Sequence, residues 1–412
     1  MIATSPASPS PSPMLLVKSL ASPAGALAAY IWAGIFKAML PGSMARIDLT
    51  ALLGVVVILC IGFEILTSKR RLRLSIIFVM AFGAYVMSLI FSLTYTIASI
   101  DVVMLQLFRL VVVDGVAVVG ALSLINTPQR LQSFILAHVI LGLGISLSAI
   151  VAAVPGQVIL RGVGGSSYIA DARLVAIALG SCISLFGFQG ITEQAMVIIL
   201  GAGVLILSAR GPFIVLALCL PGLVMHRMRS IKRLHILTIA GVLLVVCVFM
   251  LLNSHGYFVT IKQRLARVIP GAVGLEDTSV ISRIYFGQSA IKMFLERPIL
   301  GWGLSSYPSY IGGVGNETPH NLFLELLCEL GIMGFLAFVI MLAMSAHRLR
   351  SIQHAMTDGV SQALWFSFAF WILTIPGLGL GSVRPFLCLL AVINACFANR
   401  ASSFKCQLKG AI

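Results

Sequence analysis

The chain has 412 residues, of which 59% are hydrophobic and 10% charged, and its formal charge is +15. A soluble domain carries roughly 25% charged residues, and runs such as 49–66, 74–97 and 234–252 reach the ~20 apolar residues that cross a bilayer core. This excludes a soluble globular domain. Runs this long and continuous also exclude a barrel built from alternating strands of ~9–11 residues.

In chain order, the Ser/Pro-rich start predicts a disordered N-terminus over 1–21. It lacks the basic start of a secretory signal, so the first apolar run is expected to remain as a helix. About twelve spans follow, near 22–40, 49–66, 74–97, 101–124, 133–153, 169–187, 190–208, 211–225, 234–252, 320–346, 360–378 and 380–397. The expected fold is an all-α polytopic integral membrane protein. Helices 1–9 occupy 22–252, one long polar segment fills 253–319, helices 10–12 occupy 320–397, and a tail covers 398–412. Only Ala209-Arg210-Gly211-Pro212 separates the seventh and eighth spans.

Basic groups mark one side of this topology: Lys69 to Arg73, Arg130, Arg227 to Arg233, Arg348 with Arg350, and Arg400 to Lys409. By the positive-inside rule that side and the N-terminus are cytoplasmic. The excess charge is therefore largely an orientation signal, and no nucleic-acid partner is expected. The 154–168 loop with Arg161, the turn with Arg210, the 253–319 segment and the turn with Arg384 fall outside. Arg46 is also there, balanced by Asp48. Arginines outside run against the bias, and a bound anion would account for them, because guanidinium forks match phosphate oxygens. Taken singly, each also reads as a surface arginine.

Within the long segment, 258–269 predicts a short amphipathic basic helix near the headgroups. Ser279 to Glu296 predicts a second helix with Ile284, Ile291 and Leu295 on one face and Pro298 beyond its end. Gly301-Trp302-Gly303 predicts a turn. Thr318 is the expected cap of the next helix, with Pro319 at its first position. His320 and Asn321 then fall in its first turn, with Glu325 one turn deeper on the same side.

His320 is a candidate general base for a hydroxyl, because a neutral imidazole accepts a proton near pH 7. The competing reading is a histidine that anchors the helix start. Glu317 and Glu325 are alternative bases, with Glu325 favoured as an orienting group. Arg283 and Arg297 join Arg161, Arg210 and Arg384 as candidate anion ligands. His255 reads as an interfacial loop residue, while Arg109, Asp114, Asp171 and Arg173 read as charges paired inside the bundle. The eight cysteines read as packing residues. Neither a metal-ligand cluster, a Walker A motif nor a dinucleotide fingerprint is present, so no metal or cofactor is expected.

The stretch from Ser282-Arg283 through Glu296-Arg297-Pro298-Ile-Leu-Gly301-Trp-Gly303, followed by Pro319-His320-Asn321 and Glu329-Leu-Gly331-Ile-Met-Gly334, resembles the signature of the O-antigen ligase and polymerase family. Ser208-Ala209-Arg210-Gly211 resembles its upstream segment. Arg161-Gly162 is the weakest match, because the Pro-Asn usual after it is absent. The resemblance covers roughly 155–380. It implies a GT-C-like, metal-independent inverting glycosyltransferase of the bacterial inner membrane, with its active site facing the periplasm and undecaprenyl-diphosphate-linked glycan as donor. Carried over, His320 activates the acceptor hydroxyl, and Arg210 and Arg283, with Arg161, hold the diphosphate. A ligase acting on lipid A–core, as a monomer among membrane lipids, fits the compact outer segment best. A polymerase joining lipid-linked repeats and a protein O-oligosaccharyltransferase are the alternatives within the family. A lipid-linked glycan transporter is the alternative from another class, although no inverted repeat is evident.

Overall fold

A computed structural model describes residues 12–39, 48–67, 75–152, 167–188, 190–207, 209–228, 278–313, 317–353 and 358–395. Among these residues there is no strand. The helices are α1 (Pro13–Leu20), α2 (Pro23–Ile31), α3 (Ala33–Met39), α4 (Leu49–Thr67), α5 (Ile76–Phe91) and α6 (Ile100–Leu124). They continue as α7 (Pro128–Ala152), α8 (Tyr168–Phe186), α9 (Ile191–Leu207), α10 (Arg210–Met228) and α11 (Thr278–Glu296). The last are α12 (Ser306–Tyr310), α13 (Leu322–Gln353), α14 (Asp358–Thr374) and α15 (Arg384–Ala395).

Seven of the helices described are long and apolar enough to cross a membrane, eight if the bent pair α1–α2 is one span. Three shorter apolar helices, α9, Gly211–Val224 within α10, and α15, add to them. The chain is an all-α, multi-pass membrane protein. The expected span at 234–252 and the basic helix at 258–269 lie outside the described residues.

Two local expectations change at the start of the chain. Residues 13–20, placed in a disordered N-terminus by composition, form a helix. Pro13 occupies its first turn and Ser12 Oγ accepts from the Leu15 amide, which together satisfy and preset a helix start. The first predicted span, 22–40, is also not one continuous helix, since Trp32 separates α2 from α3. Ala209 separates α9 from α10, so the seventh and eighth predicted spans are distinct helices.

The chain forms two compact units. The first comprises residues 1–53, 132–273 and 356–370. In it, Gly142 of α7 faces Ala178 of α8 and Leu200 of α9, Gly203 of α9 faces Ser146 of α7, and Gly180 of α8 lies on the Phe366 ring of α14. Small residues let membrane helices approach closely enough to gain packing where lipid supplies no hydrophobic drive.

The second unit comprises residues 54–131, 274–355 and 371–412. Its core is a run of rings: Tyr85 of α5 lies 6.4 Å from Phe338 of α13, Phe338 lies 6.1 Å from Phe386 of α15, and Phe386 stacks on Trp371 at 5.7 Å. Glu64 of α4 accepts from Arg130 Nη2 at 2.7 Å and from Asn126 Nδ2 at 2.8 Å, bracing α4 against the α6–α7 turn.

α13 is broken in its interior. Gly331 has φ 63° and ψ −167°, a left-handed geometry that a residue with Cβ adopts only at a cost. The turn at 298–303 repairs the broken ladder. Trp302 N donates to Cys328 O at 3.0 Å and Gly303 N donates to Glu329 O at 2.8 Å. Ile332 N and Met333 N donate to Pro298 O and Ile299 O at 2.9 and 3.4 Å. Gly301 and Gly331 permit this approach: a Cβ on Gly301 would strike Glu329 O, and one on Gly331 would strike Ile299 O. Gly331→Ala is therefore expected to cost about 2 kcal/mol, read as a lower melting temperature in detergent. Gly83→Ala, where nothing lies within 4 Å of the added carbon, should leave the melting temperature unchanged or raise it.

Candidate active site

The site grows out of the start of α13. Asn321 is the cap: its Oδ1 accepts from the Phe323 and Leu324 amides at 3.1 and 3.4 Å, and its carbonyl accepts from Glu325 N at 2.9 Å. The expected cap at Thr318 is thus displaced by three residues, and His320 and Asn321 do not form a first turn. Asparagine is among the strongest caps because its short side chain reaches the free amides. His320 stands just outside the helix with φ 51°, a left-handed conformation rare for a residue with a side chain.

That backbone leaves His320 exposed. Its ring lies 6.4 Å from that of Phe286 on α11, and Nδ1 lies 3.5 Å from Thr318 Oγ1. With a proton on Nδ1 facing Thr318, Nε2 carries the lone pair. Partial desolvation lowers the imidazole pKa below 6.5, and the positive charge of Arg283 lowers it further. At a given pH the ring is consequently less protonated than an ordinary histidine, which favours the form able to accept a proton.

Arg283 is exposed on α11, the helix predicted from 279 and observed from Thr278. The face of α11 that packs is not the one marked by Ile284, Ile291 and Leu295, which are all largely exposed. Ala290 and Met293 are fully buried with Tyr307 and Cys328, flanked by Phe286, Phe294 and Trp302. The aromatic residues pack around this small buried centre. Tyr307 Oη donates to Phe286 O at 2.8 Å, which fixes the level of α11 and hence of Arg283.

Glu325 is 4% exposed, and its partner is the Leu380 amide, which donates to Oε2 at 3.0 Å. The 379–380 backbone also approaches Thr318: a Cβ on Gly379 would lie 3.1 Å from Glu325 Oε2 and 3.6 Å from Thr318 Oγ1. Glu325 therefore holds a loop against the residue that faces His320. Glu317 turns Oε2 into the protein beside Gly313.

The other predicted ligands have separate settings. Arg297 stacks over the Trp302 ring with Cζ 4.0 Å from its centroid. Arg384 Nε donates to Asp114 Oδ1 at 3.1 Å in a largely buried ion pair. Arg210 opens α10 in the first unit, and its side chain lies outside the described residues, as do Arg161 and His255. The structure thus gathers His320, Arg283, Asn321 and Glu325 in the second unit.

Glu329 has a role that sequence reasoning did not assign. It is 3% exposed, and its two carboxylate oxygens accept from the Ser305 and Tyr307 amides at 3.0 and 3.3 Å, where α12 begins. An acidic residue one turn after Glu325, inside an apolar run and just before Gly331, was the available signal. Ser306 Oγ donates to Trp302 O at 2.7 Å and accepts from Ile97 N at 3.2 Å, while Thr96 Oγ1 donates to Leu304 O at 2.8 Å. The 302–306 turn is thereby fastened to the connection between α5 and α6. Among the described residues, no three His, Cys, Asp or Glu side chains gather to hold a metal.

Residues 195–339 match the family model described as O-antigen ligase (Wzy_C). Over this stretch the chain is similar to the O-antigen ligase family. The matched stretch contains Arg210, Arg283, His320, Asn321, Glu325 and the Glu329–Gly331 break, so the O-antigen ligase signature coincides with the stitched turn and the helix start. No curated protein matches the chain.

Two outcomes follow from this geometry. Glu329→Leu strands two amides, each costing about 1–3 kcal/mol if left unpaired, so thermal denaturation should show a clear loss of stability. If His320 is the base, the acidic limb of the pH–rate profile lies below 6.5. Arg283→Gln should move that limb upward, because it removes one of the two causes holding the pKa down.

Proposed function

We propose that this protein is an O-antigen ligase, a metal-independent inverting glycosyltransferase. In this reading it moves a glycan from undecaprenyl diphosphate to a sugar hydroxyl of lipid A–core at the periplasmic face of the bacterial inner membrane. The observation that carries the reading is the exposed, neutral-leaning His320 beside Arg283, within a segment that matches the family.

His320 Nε2 accepts the proton of the acceptor hydroxyl as the oxygen attacks the anomeric carbon. The carbon–oxygen bond to the diphosphate breaks, and the bonding electrons leave with the lipid diphosphate. Attack from the opposite face inverts the anomeric centre. Arg283, joined by Arg210 and Arg161, meets the negative charge that develops on the leaving group. Asn321 and Glu325 act through position: one caps the helix behind His320, and the other holds the 379–380 loop beside Thr318. Arg297 and Arg384 are further candidate contacts for substrate anions, from their places on Trp302 and Asp114.

Purified protein supplied with lipid-linked donor and lipid A–core tests this directly. Product formation should fall by at least about a hundredfold in His320→Ala, the range of general-base catalysis, with an unchanged melting curve. Unchanged turnover would remove His320 as the base. Activity should persist in EDTA, and a loss restored by added divalent ion would refute the metal-independent route. Transfer to a second lipid-linked repeat, with none to lipid A–core, would make the protein a polymerase instead.

A further inference from the structure

Arg109 has no part in the chemistry assigned to His320, and its surroundings call for an anion. It is nine residues into α6, ~14 Å along the axis from Ile100 at 1.5 Å per residue. The span has 25 residues, ~38 Å on the same rise against a hydrocarbon core of ~30 Å. Sharing the excess between the two ends leaves ~10 Å of apolar layer above the Arg109 backbone. Its helix neighbours Leu105, Phe108 and Val112 are 71%, 57% and 45% exposed. Arg109, itself exposed, therefore emerges from a stripe suited to face lipid.

The described residues do not neutralise it. Asp114 interacts with its charge, but Asp114 Oδ1 already accepts from Arg384 Nε, and both of those side chains are largely buried. Two guanidinium charges against one carboxylate leave a net charge of +1. No hydrogen bond or ion pair among the described residues holds the Arg109 head. An uncompensated arginine inside a span costs on the order of 3 kcal/mol on insertion scales and marks a functional position by default.

Two further features shape the place. Arg109 belongs to a π-helical stretch, Phe108–Val113, an irregularity that occurs frequently at functional sites. Its Nη1 is 3.3 Å from the point where a side chain on Gly381 would begin, so glycine there keeps the 380–382 loop clear of the guanidinium. The same loop is held at Leu380 by Glu325. A long arginine stem can lift its head from this depth toward the headgroup layer.

We propose that Arg109, under the Gly381 loop, binds the phosphate group of a membrane-anchored lipid, at a site separate from the diphosphate role given to Arg283. The proposal stands apart from the transferase reading, because it concerns binding and not turnover.

The test uses the full-length protein in a phosphate-free maltoside detergent. It is titrated with a fluorescent short-chain polyprenyl diphosphate, with a fluorescent phosphatidylglycerol, and with the matching diacylglycerol that lacks phosphate. Arg109→Gln should weaken at least one phosphate lipid about tenfold or more, the loss expected for a charge-assisted hydrogen bond. Diacylglycerol binding should not change, and Arg109→Lys should retain part of the affinity. Gly381→Leu keeps the charge but fills the space under the loop, and it should produce the same loss, which also covers the case of Arg109→Gln failing to fold. An effect confined to polyprenyl diphosphate makes this a substrate-lipid site, and an effect on phosphatidylglycerol as well makes it a general anionic-lipid site; both support the proposal. Equal binding of both phosphate lipids by wild type and the folded variants overturns it.

Discussion

The second unit depends on a backbone exchange. Away from water, a helix cannot break without leaving amides and carbonyls that cost several kcal/mol each. α13 breaks at Gly331, and the 298–303 turn supplies two donors and two acceptors for the groups released on either side. Because the bonds run both ways, the turn and the break define each other. Neither glycine can take a side chain without striking the opposite backbone.

The site inherits its geometry from that exchange. The break separates 322–330 from the rest of α13, so the helix start carrying Asn321 is a short piece with its own direction. Glu329, the residue two before Gly331, reaches back to amides at the start of α12. The adjoining turn is bound to the α5–α6 connection through Ser306 and Thr96. Tyr307 continues the chain of contacts to α11 through Phe286. His320 and Arg283 are thus placed from two directions by one set of buried polar contacts, none of which touches either side chain.

Much of this fold was legible in the residues because apolar length is a direct physical requirement for crossing a bilayer. The helix at 278–296 and the turn at 301–303 were legible through Pro298 and paired glycines. The break at Gly331 was not, since Glu329-Leu330-Gly331 lies within an apolar run and glycine alone does not mark an interruption in a membrane helix. The packed face of α11 was also hidden. Ile284, Ile291 and Leu295 form as good an apolar stripe as Phe286, Ala290 and Met293, and in a membrane protein an aliphatic stripe can remain on the outside. The helix cap was misplaced because Thr318-Pro319 and Asn321 are both good starts, and the choice between them depends on φ at His320. The pairing of Arg384 with Asp114 joins residues 270 apart in the chain, a separation that no local pattern reports.

The left-handed backbone of His320 has a consequence for how this position can change. A residue with Cβ in that region carries a penalty of roughly 1–2 kcal/mol that glycine does not, and asparagine carries less of it. Stability alone would therefore favour replacing the histidine, while proton transfer requires keeping it. The most favourable substitutions for the fold at residue 320 are ones that would abolish its chemistry, so a stabilised variant found by thermal selection would be the first place to look for a protein that folds better and no longer works.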